Sequence, residues 1–195
     1  MNEHLRRAPA NPPGSPSRSR GFTLVEAMVV IAILAVLAAI AAPSFQRVVQ
    51  RYQVRHAMGD FTAALYLARS EAIKRGGRVT MAKAAAAGCT AAGAKEWHCG
   101  WNVFVDANEN GALDDGEELL QASGLPRGAF VCVNTGVSLK FSGWGDLVGP
   151  TSTTVRMRPF DDSDDVLGLG LATAMSAAGR LKTDPAGPGE VKECT

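Results

Sequence analysis

Asp106, Asn108, Asn110, Gly111 and Glu117 stand in the order D-x-N-x-N-G-x5-E. Oxygen-bearing side chains at alternate positions, with a glycine at the bend, are the pattern of a loop that takes up a hard cation such as calcium. A calcium hand carries a helix on each side. Here residues 101–105 read as a strand and residues 119–121 as its hairpin partner, and Asn110-Gly111 is a strong turn signal without any metal. The competing expectation is therefore a bare hairpin whose Asp and Asn side chains cap their own backbone, with no cofactor.

The other chemical groups are sparse. Cys89, Cys99, Cys132 and Cys194 allow three pairings. The expected one joins Cys89 to Cys99, closing a short loop beside Trp97, and Cys132 to Cys194, tethering the C-terminal tail. A zinc site with His98 is the weaker reading, because no two cysteines have C-x2-C or C-x4-C spacing. The three histidines, His4, His56 and His98, have no sequence context for a nucleophile or a base. Nor is there a glycine loop shaped for phosphate. The chain does not read as an enzyme.

These groups hang on an unusual framework. From residue 22 to residue 42 the only ionisable side chain is Glu26, and roughly 20 apolar helical residues at about 1.5 Å each match a hydrocarbon core of about 30 Å. Residues 22–42 are thus expected to form a transmembrane helix. The preceding residues 1–21 hold Arg6, Arg7, Arg18 and Arg20 against Glu3 and are broken by prolines, the composition of an unfolded leader. Positive charge before the first apolar segment keeps the N-terminus in the cytoplasm and sends the rest across. A cleaved secretory signal is the plainer alternative, but its apolar region runs 7–15 residues.

Past Pro43 the apolar pattern becomes one-sided. Val54, Met58, Phe61, Leu65, Ala68 and Ala72 recur at steps of four and three, one face of an amphipathic helix. Residues 43–77 therefore continue the helix to about Arg75, with Pro43 as a kink and Gly76-Gly77 as the stop. Residues 78–195 read as one antiparallel sheet domain, with strands at 78–81, 101–105, 129–133, 138–141 and 154–157 between glycine-rich turns. Residues 84–93 and 161–165 are expected as surface loops.

Gly21-Phe22-Thr23-Leu24-Val25-Glu26, followed by the apolar helix and Pro43, resembles the prepilin signature of type IV pilins and type II secretion pseudopilins. The resemblance implies a membrane peptidase that cuts between Gly21 and Phe22 and N-methylates Phe22. It implies a type IV pilin-like α+β fold, in which a long N-terminal helix, transmembrane in its first half, packs on an antiparallel β-sheet domain. An ionisable group in a bilayer is a functional hypothesis by default. For Glu26 the implied partner is the N-terminal amine of a neighbouring subunit; the structural alternative is that it snorkels to headgroups.

A second resemblance lies within the domain. Gly100-Trp101-Asn102-Val103-Phe104-Val105-Asp106, then Asn108, Asn110-Gly111, Asp114, Gly116-Glu117 and Leu119-Leu120, is similar to the GspH/FimT family of minor pseudopilins and minor pilins. Leu139-Lys140-Phe141, Gly145 and Gly179-Arg180-Leu181-Lys182 fit the same pattern. Some FimT-type members bind DNA, and Arg180 with Lys182 matches a GRxR-like basic motif in which lysine replaces the second arginine. That replacement keeps the charge and loses the planar fork that grips phosphate. Residues 1–75 carry ten Lys and Arg against four Asp and Glu, and the remainder ten against fifteen, so a polyanion is not steered to the domain as a whole.

The expectation is a structural subunit, a single-pass inner-membrane protein with its C-terminal domain in the periplasm. Its partners would be other pilins or pseudopilins, a prepilin peptidase and the membrane itself. Its first expected role is in the pseudopilus of a type II protein secretion system. The alternative is a FimT/FimU-type minor pilin of type IV pili serving assembly, motility or DNA uptake. A different class would be a membrane-tethered ectodomain that binds calcium or DNA.

Overall fold

The computed structural model describes residues 21–85, 88–90, 93–162, 166–189, 191 and 194. The expected leader, apart from Gly21, lies outside them, as do parts of the two expected loops at 86–87, 91–92 and 163–165. The chain divides into two compact units, Met1–Pro43 and Ser44–Thr195. One helix, α1 (Leu24–Arg75), supplies residues to both.

In the first unit the helix is apolar on all sides. Its segment Leu24–Ala42 has a mean hydropathy of 2.8 with no residue of the span buried inside the protein. Large side chains such as Phe22, Leu24, Ile31, Leu34 and Ile40 are all exposed. A helix that is hydrophobic all round must bury itself in something else, and length and composition suit a bilayer.

In the second unit the helix is amphipathic and supplies the centre of the core. Val54, Met58, Phe61, Leu65, Ala68 and Ala72 are all buried, joined by Ala57 and Ala64. The face expected from the spacing is the face that packs. Each large side chain buried this way contributes about 1.5–3 kcal/mol over leaving it exposed. Phe61 meets Trp97 and Trp101 edge to face, with ring centroids 5.8 and 4.9 Å away. The helix ends in a Schellman turn: Gly76 adopts φ +78° and Gly77 N–H reaches back to the Ala72 carbonyl at 2.8 Å. A residue with a Cβ is strained at that φ, which is why glycine ends the helix here.

Among the described residues eight strands follow: β1 (Val79–Lys83), β2 (Trp101–Val105), β3 (Leu119–Ala122), β4 (Ala129–Val133), β5 (Ser138–Phe141), β6 (Ser152–Pro159), β7 (Leu171–Ser176) and β8 (Leu181–Pro185). The antiparallel sheet domain expected from the sequence is present, built as two antiparallel four-stranded sheets ordered β3-β2-β1-β5 and β4-β6-β7-β8. Their separation has a hydrogen-bonding cause. The free edge of β4 is taken by residues 95–97, where Trp97 N–H bonds the Val131 carbonyl and Val133 N–H the Lys95 carbonyl, each at 2.8 Å. The outer edge of β5 is covered in the same way by Leu147 and Val148, the latter donating to Lys140 at 2.9 Å. Edges satisfied by loops cannot also pair with each other.

Both sheets contribute to one apolar cluster with the helix. Met81, Trp101, Val103, Leu139 and Phe141 come from the first sheet, and Val131, Val133, Val155, Met157 and Met175 from the second. β6 shows the period-two burial expected of a strand with one face inward, with Thr153, Val155 and Met157 buried and Thr154 and Arg156 turned outward. The β2–β3 pair carries a register shift between Val103 and Phe104, and the acidic loop lies between these two strands.

Candidate functional site

The first candidate region is the start of α1. Thr23 is the N-cap: its side-chain oxygen accepts the Glu26 N–H at 3.2 Å and its carbonyl accepts the Ala27 N–H at 3.1 Å. Thr23 and Glu26 thus have the spacing of a capping box, in which a carboxylate at the third helical position suits the positive end of the helix dipole. This local role of Thr23 was legible in the T-x-x-E spacing. A Cβ added to Gly21 would meet nothing within 4 Å, so among the described residues no close contact requires glycine at that position. Phe22 beside it is 69% exposed.

The second region is the loop from β2 to β3. Asp106, the residue after β2, is 1% exposed. Its Oδ2 accepts from Thr80 Oγ1 at 2.8 Å and from Gly111 N–H at 2.9 Å. Asn108 Oδ1 accepts the Asn110 N–H at 3.1 Å, and Asn110 Oδ1 the Ala112 N–H at 2.8 Å. Both side-chain amides donate to Asp114 Oδ2, at 2.8 and 2.7 Å, and these donors hold the Asp114 carboxyl below the usual carboxylate range. Glu117 closes the loop, with Oε1 on Ala107 N–H at 2.8 Å and Oε2 on Asp114 N–H at 3.1 Å. The four residues expected from the sequence are therefore brought together. Asp114, absent from that set, joins them at the ninth position of the pattern, a spacing signal that was available in the sequence.

The basic pair sits in the β7–β8 hairpin. Ser176 and Arg180 exchange hydrogen bonds across the turn, Ser176 N–H to the Arg180 carbonyl at 3.0 Å and Arg180 N–H to Ser176 Oγ at 3.2 Å. Lys182 Nζ lies 2.9 Å from Asp184 Oδ2. One of the two cations is thereby paired within its own strand.

The disulfides join Cys89 to Cys99 and Cys132 to Cys194, with Cα atoms 5.6 and 5.4 Å apart. His98, adjacent to the first pair, stacks on Phe130 with centroids 4.8 Å apart and contacts the Thr90 carbonyl through Nε2 at 3.1 Å. Cys89, His98 and Cys99 offer ligand atoms within 4.8 Å of one another. The disulfide occupies both sulfurs, so this trio holds no thiolates for a metal.

A groove beside the helix brings Tyr52, His56, Asp60, Trp101, Ser123 and Arg127 to one surface. His56 Nδ1 and Asp60 Oδ2 are 2.9 Å apart, but Ser123 Oγ instead accepts the Trp101 N–H at 2.7 Å. Ser123 is not hydrogen-bonded to His56, so the three do not form a relay.

Comparisons with known proteins agree with this architecture. The type IV major fimbrial protein FimA of Dichelobacter nodosus is 48% identical over 44 residues, 23% of this chain and 28% of its own length. A fimbrial protein of Pseudomonas aeruginosa is 46% identical over 57 residues, 29% of this chain and 36% of its own length. The chain thus spans only about a third of these curated relatives. The crystal structure of the type IV minor pilin FimU of Pseudomonas aeruginosa superposes with a TM-score of 0.54 at 22% identity, over 74% of this chain and 97% of that one; the likeness is one of fold. The prokaryotic N-terminal methylation motif matches residues 16–42. The family described as type II transport protein GspH matches residues 57–177, more than half of the sequence, and the chain belongs to that family.

Proposed function

We propose that this protein is a minor structural subunit of the pseudopilus of a type II protein secretion system. The observation that carries the reading is the joining, in one chain, of an apolar span with no buried residue, Leu24–Ala42, to a GspH-family domain. The span would anchor the unassembled subunit in the inner membrane, with the folded domain on the periplasmic side. The disulfides suit that oxidising compartment.

Processing would fall between Gly21 and Phe22, with Phe22 N-methylated. Support comes from the methylation motif and from a glycine that no close contact among the described residues requires. In the filament the Glu26 carboxylate would pair with the amine of a neighbouring Phe22. Thr23 caps the helix through its own oxygen and leaves the Glu26 side chain exposed for that contact.

A second reading, a FimU-type minor pilin of type IV pili, is favoured by the likeness of fold to FimU, which extends over nearly the whole of that chain. DNA binding at Arg180 and Lys182 would be part of this alternative. It is weakened by the ion pair that Lys182 makes with Asp184. Deleting the gene separates the two readings. Loss of protein secretion with surface motility intact supports the pseudopilus, and the opposite result supports the pilus.

A further inference from the structure

The carboxylate of Asp106 presents an unsolved problem within the fold. It is almost completely buried at the end of β2, and while Oδ2 has two donors, Oδ1 has none. Among the described residues no lysine or arginine side chain is bonded to it. A buried carboxylate oxygen without a donor is costly unless a cation sits against it. One of the two donors to its sister oxygen is the N–H of Gly111 at the bend of the following loop, so the group sits at the root of that loop.

What the loop can bring to Asp106 is a set of oxygens. Counting Asp106 as the first position, Asn108, Asn110, Ala112, Asp114 and Glu117 are the third, fifth, seventh, ninth and twelfth, and Gly111, with φ +81°, is the sixth. These are the ligand positions and the turn position of a twelve-residue calcium loop, the seventh contributing its backbone carbonyl. The hydrogen bonds on these side chains shape the loop without consuming it as a ligand set: Asn108 Oδ1, Asn110 Oδ1 and the two Glu117 oxygens each accept a single N–H and keep a further lone pair, and Asp106 and Asp114, whose Oδ2 atoms each accept two bonds, still offer Oδ1. Asp106, Asp114 and Glu117 give three carboxylates against a divalent charge. Strands replace the helices that flank such a loop in a calcium hand.

We propose that Asp106, Asn108, Asn110, the Ala112 carbonyl, Asp114 and Glu117 bind one calcium ion. The ion supplies the buried Asp106 oxygen with its missing partner and fastens the β2–β3 connection to β1 through Thr80. Calcium is favoured over magnesium because the ligands come from a long loop that suits a larger, less regular coordination shell. Two neutral amides among the side chains place the affinity in the weaker range of extracellular modules, about 10⁻⁴–10⁻³ M. The site does not depend on which filament the subunit enters.

The test uses the full-length chain in a non-ionic detergent after chelator treatment. Isothermal titration and equilibrium dialysis with calcium chloride should show one saturable site per chain, and the thermal midpoint should rise by several degrees at about 5 mM calcium. Glu117→Gln and Asp114→Asn should each weaken uptake at least tenfold and abolish most of the calcium-dependent rise in midpoint, each variant being compared with itself in chelator. Absence of saturable uptake by the parent chain at about 5 mM calcium overturns the proposal. So does uptake that both variants retain, or magnesium binding of equal strength.

Discussion

Arg75, the last residue of α1, grips Glu118, the residue before β3, with both arms of its guanidinium: Nη1 to Oε2 at 2.6 Å and Nη2 to Oε1 at 2.9 Å. Its Nε also bonds Glu71 at 3.0 Å. The end of the helix is thereby fastened to the far side of the acidic loop. Arg75 holds the Glu118 carboxyl below the usual carboxylate range. A carboxylate depressed in the folded state contributes stability that is present above its unfolded pKa and is lost as pH falls through the folded value. Glu118→Gln should therefore lower the thermal midpoint at neutral pH, by a small amount on the order of a degree or two because the pair touches water. The difference should shrink with salt and vanish in acid. A difference that persisted well below the carboxylate range would assign Glu118 a packing role instead.

Phe61 is the residue on which the core of the second unit turns, fully buried between Trp97 and Trp101. Phe61→Ala removes both edge-to-face contacts and leaves a cavity between the helix and the first sheet. The expected loss is about 3–5 kcal/mol. Denaturant titration of the full-length chain in detergent measures it, and a loss below about 1 kcal/mol would mean that the site collapses around the smaller side chain.

The helix and its inward face were legible because both depend on local periodicity. Val54 to Ala72 repeat with the helical period, and each residue of that series is buried. Trp101 to Val105 and Leu119 onward were legible as a hairpin for the same kind of reason. What the sequence did not carry was the division into two sheets, which depends on residues 95–97 and Leu147–Val148 occupying strand edges; no local pattern marks a segment as an edge cover. The run of β7, Leu171-Ala172-Thr173-Ala174-Met175-Ser176, has few β-branched residues and owes its conformation to β6 and β8 on either side. The spacing of the acidic loop was legible, whereas the donor missing from Asp106 Oδ1 depends on burial and emerges only in three dimensions.

The two disulfides close loops of different length, with sequence separations of 10 and 62 residues. Chain entropy in the unfolded state makes the longer closure the more stabilising, roughly 4 kcal/mol against roughly 3. Cys132→Ser should therefore destabilise the chain more than Cys89→Ser. Peptide mapping without reduction should recover both pairs from native protein. Equal losses in the two variants would point to local strain rather than loop closure as the controlling effect.

Gly21 and Glu26 can be separated from the fold, which makes the assembly hypothesis testable without confusing it with misfolding. A side chain at Gly21 meets nothing within 4 Å, so Gly21→Leu should leave the thermal midpoint of the domain unchanged while blocking cleavage before Phe22. Intact mass and N-terminal sequencing decide this, and the parent chain should begin with methylated Phe22. Glu26→Ala should still insert and be cleaved, since removing a charge from an apolar span lowers the cost of insertion. The Thr23 cap on the Glu26 N–H remains, because it uses the backbone of residue 26. Entry into filaments should nevertheless fail, because the neighbouring amine has lost its carboxylate. Filament entry of Glu26→Ala at the parental level would leave Glu26 as a helix-end charge with no part in pairing subunits.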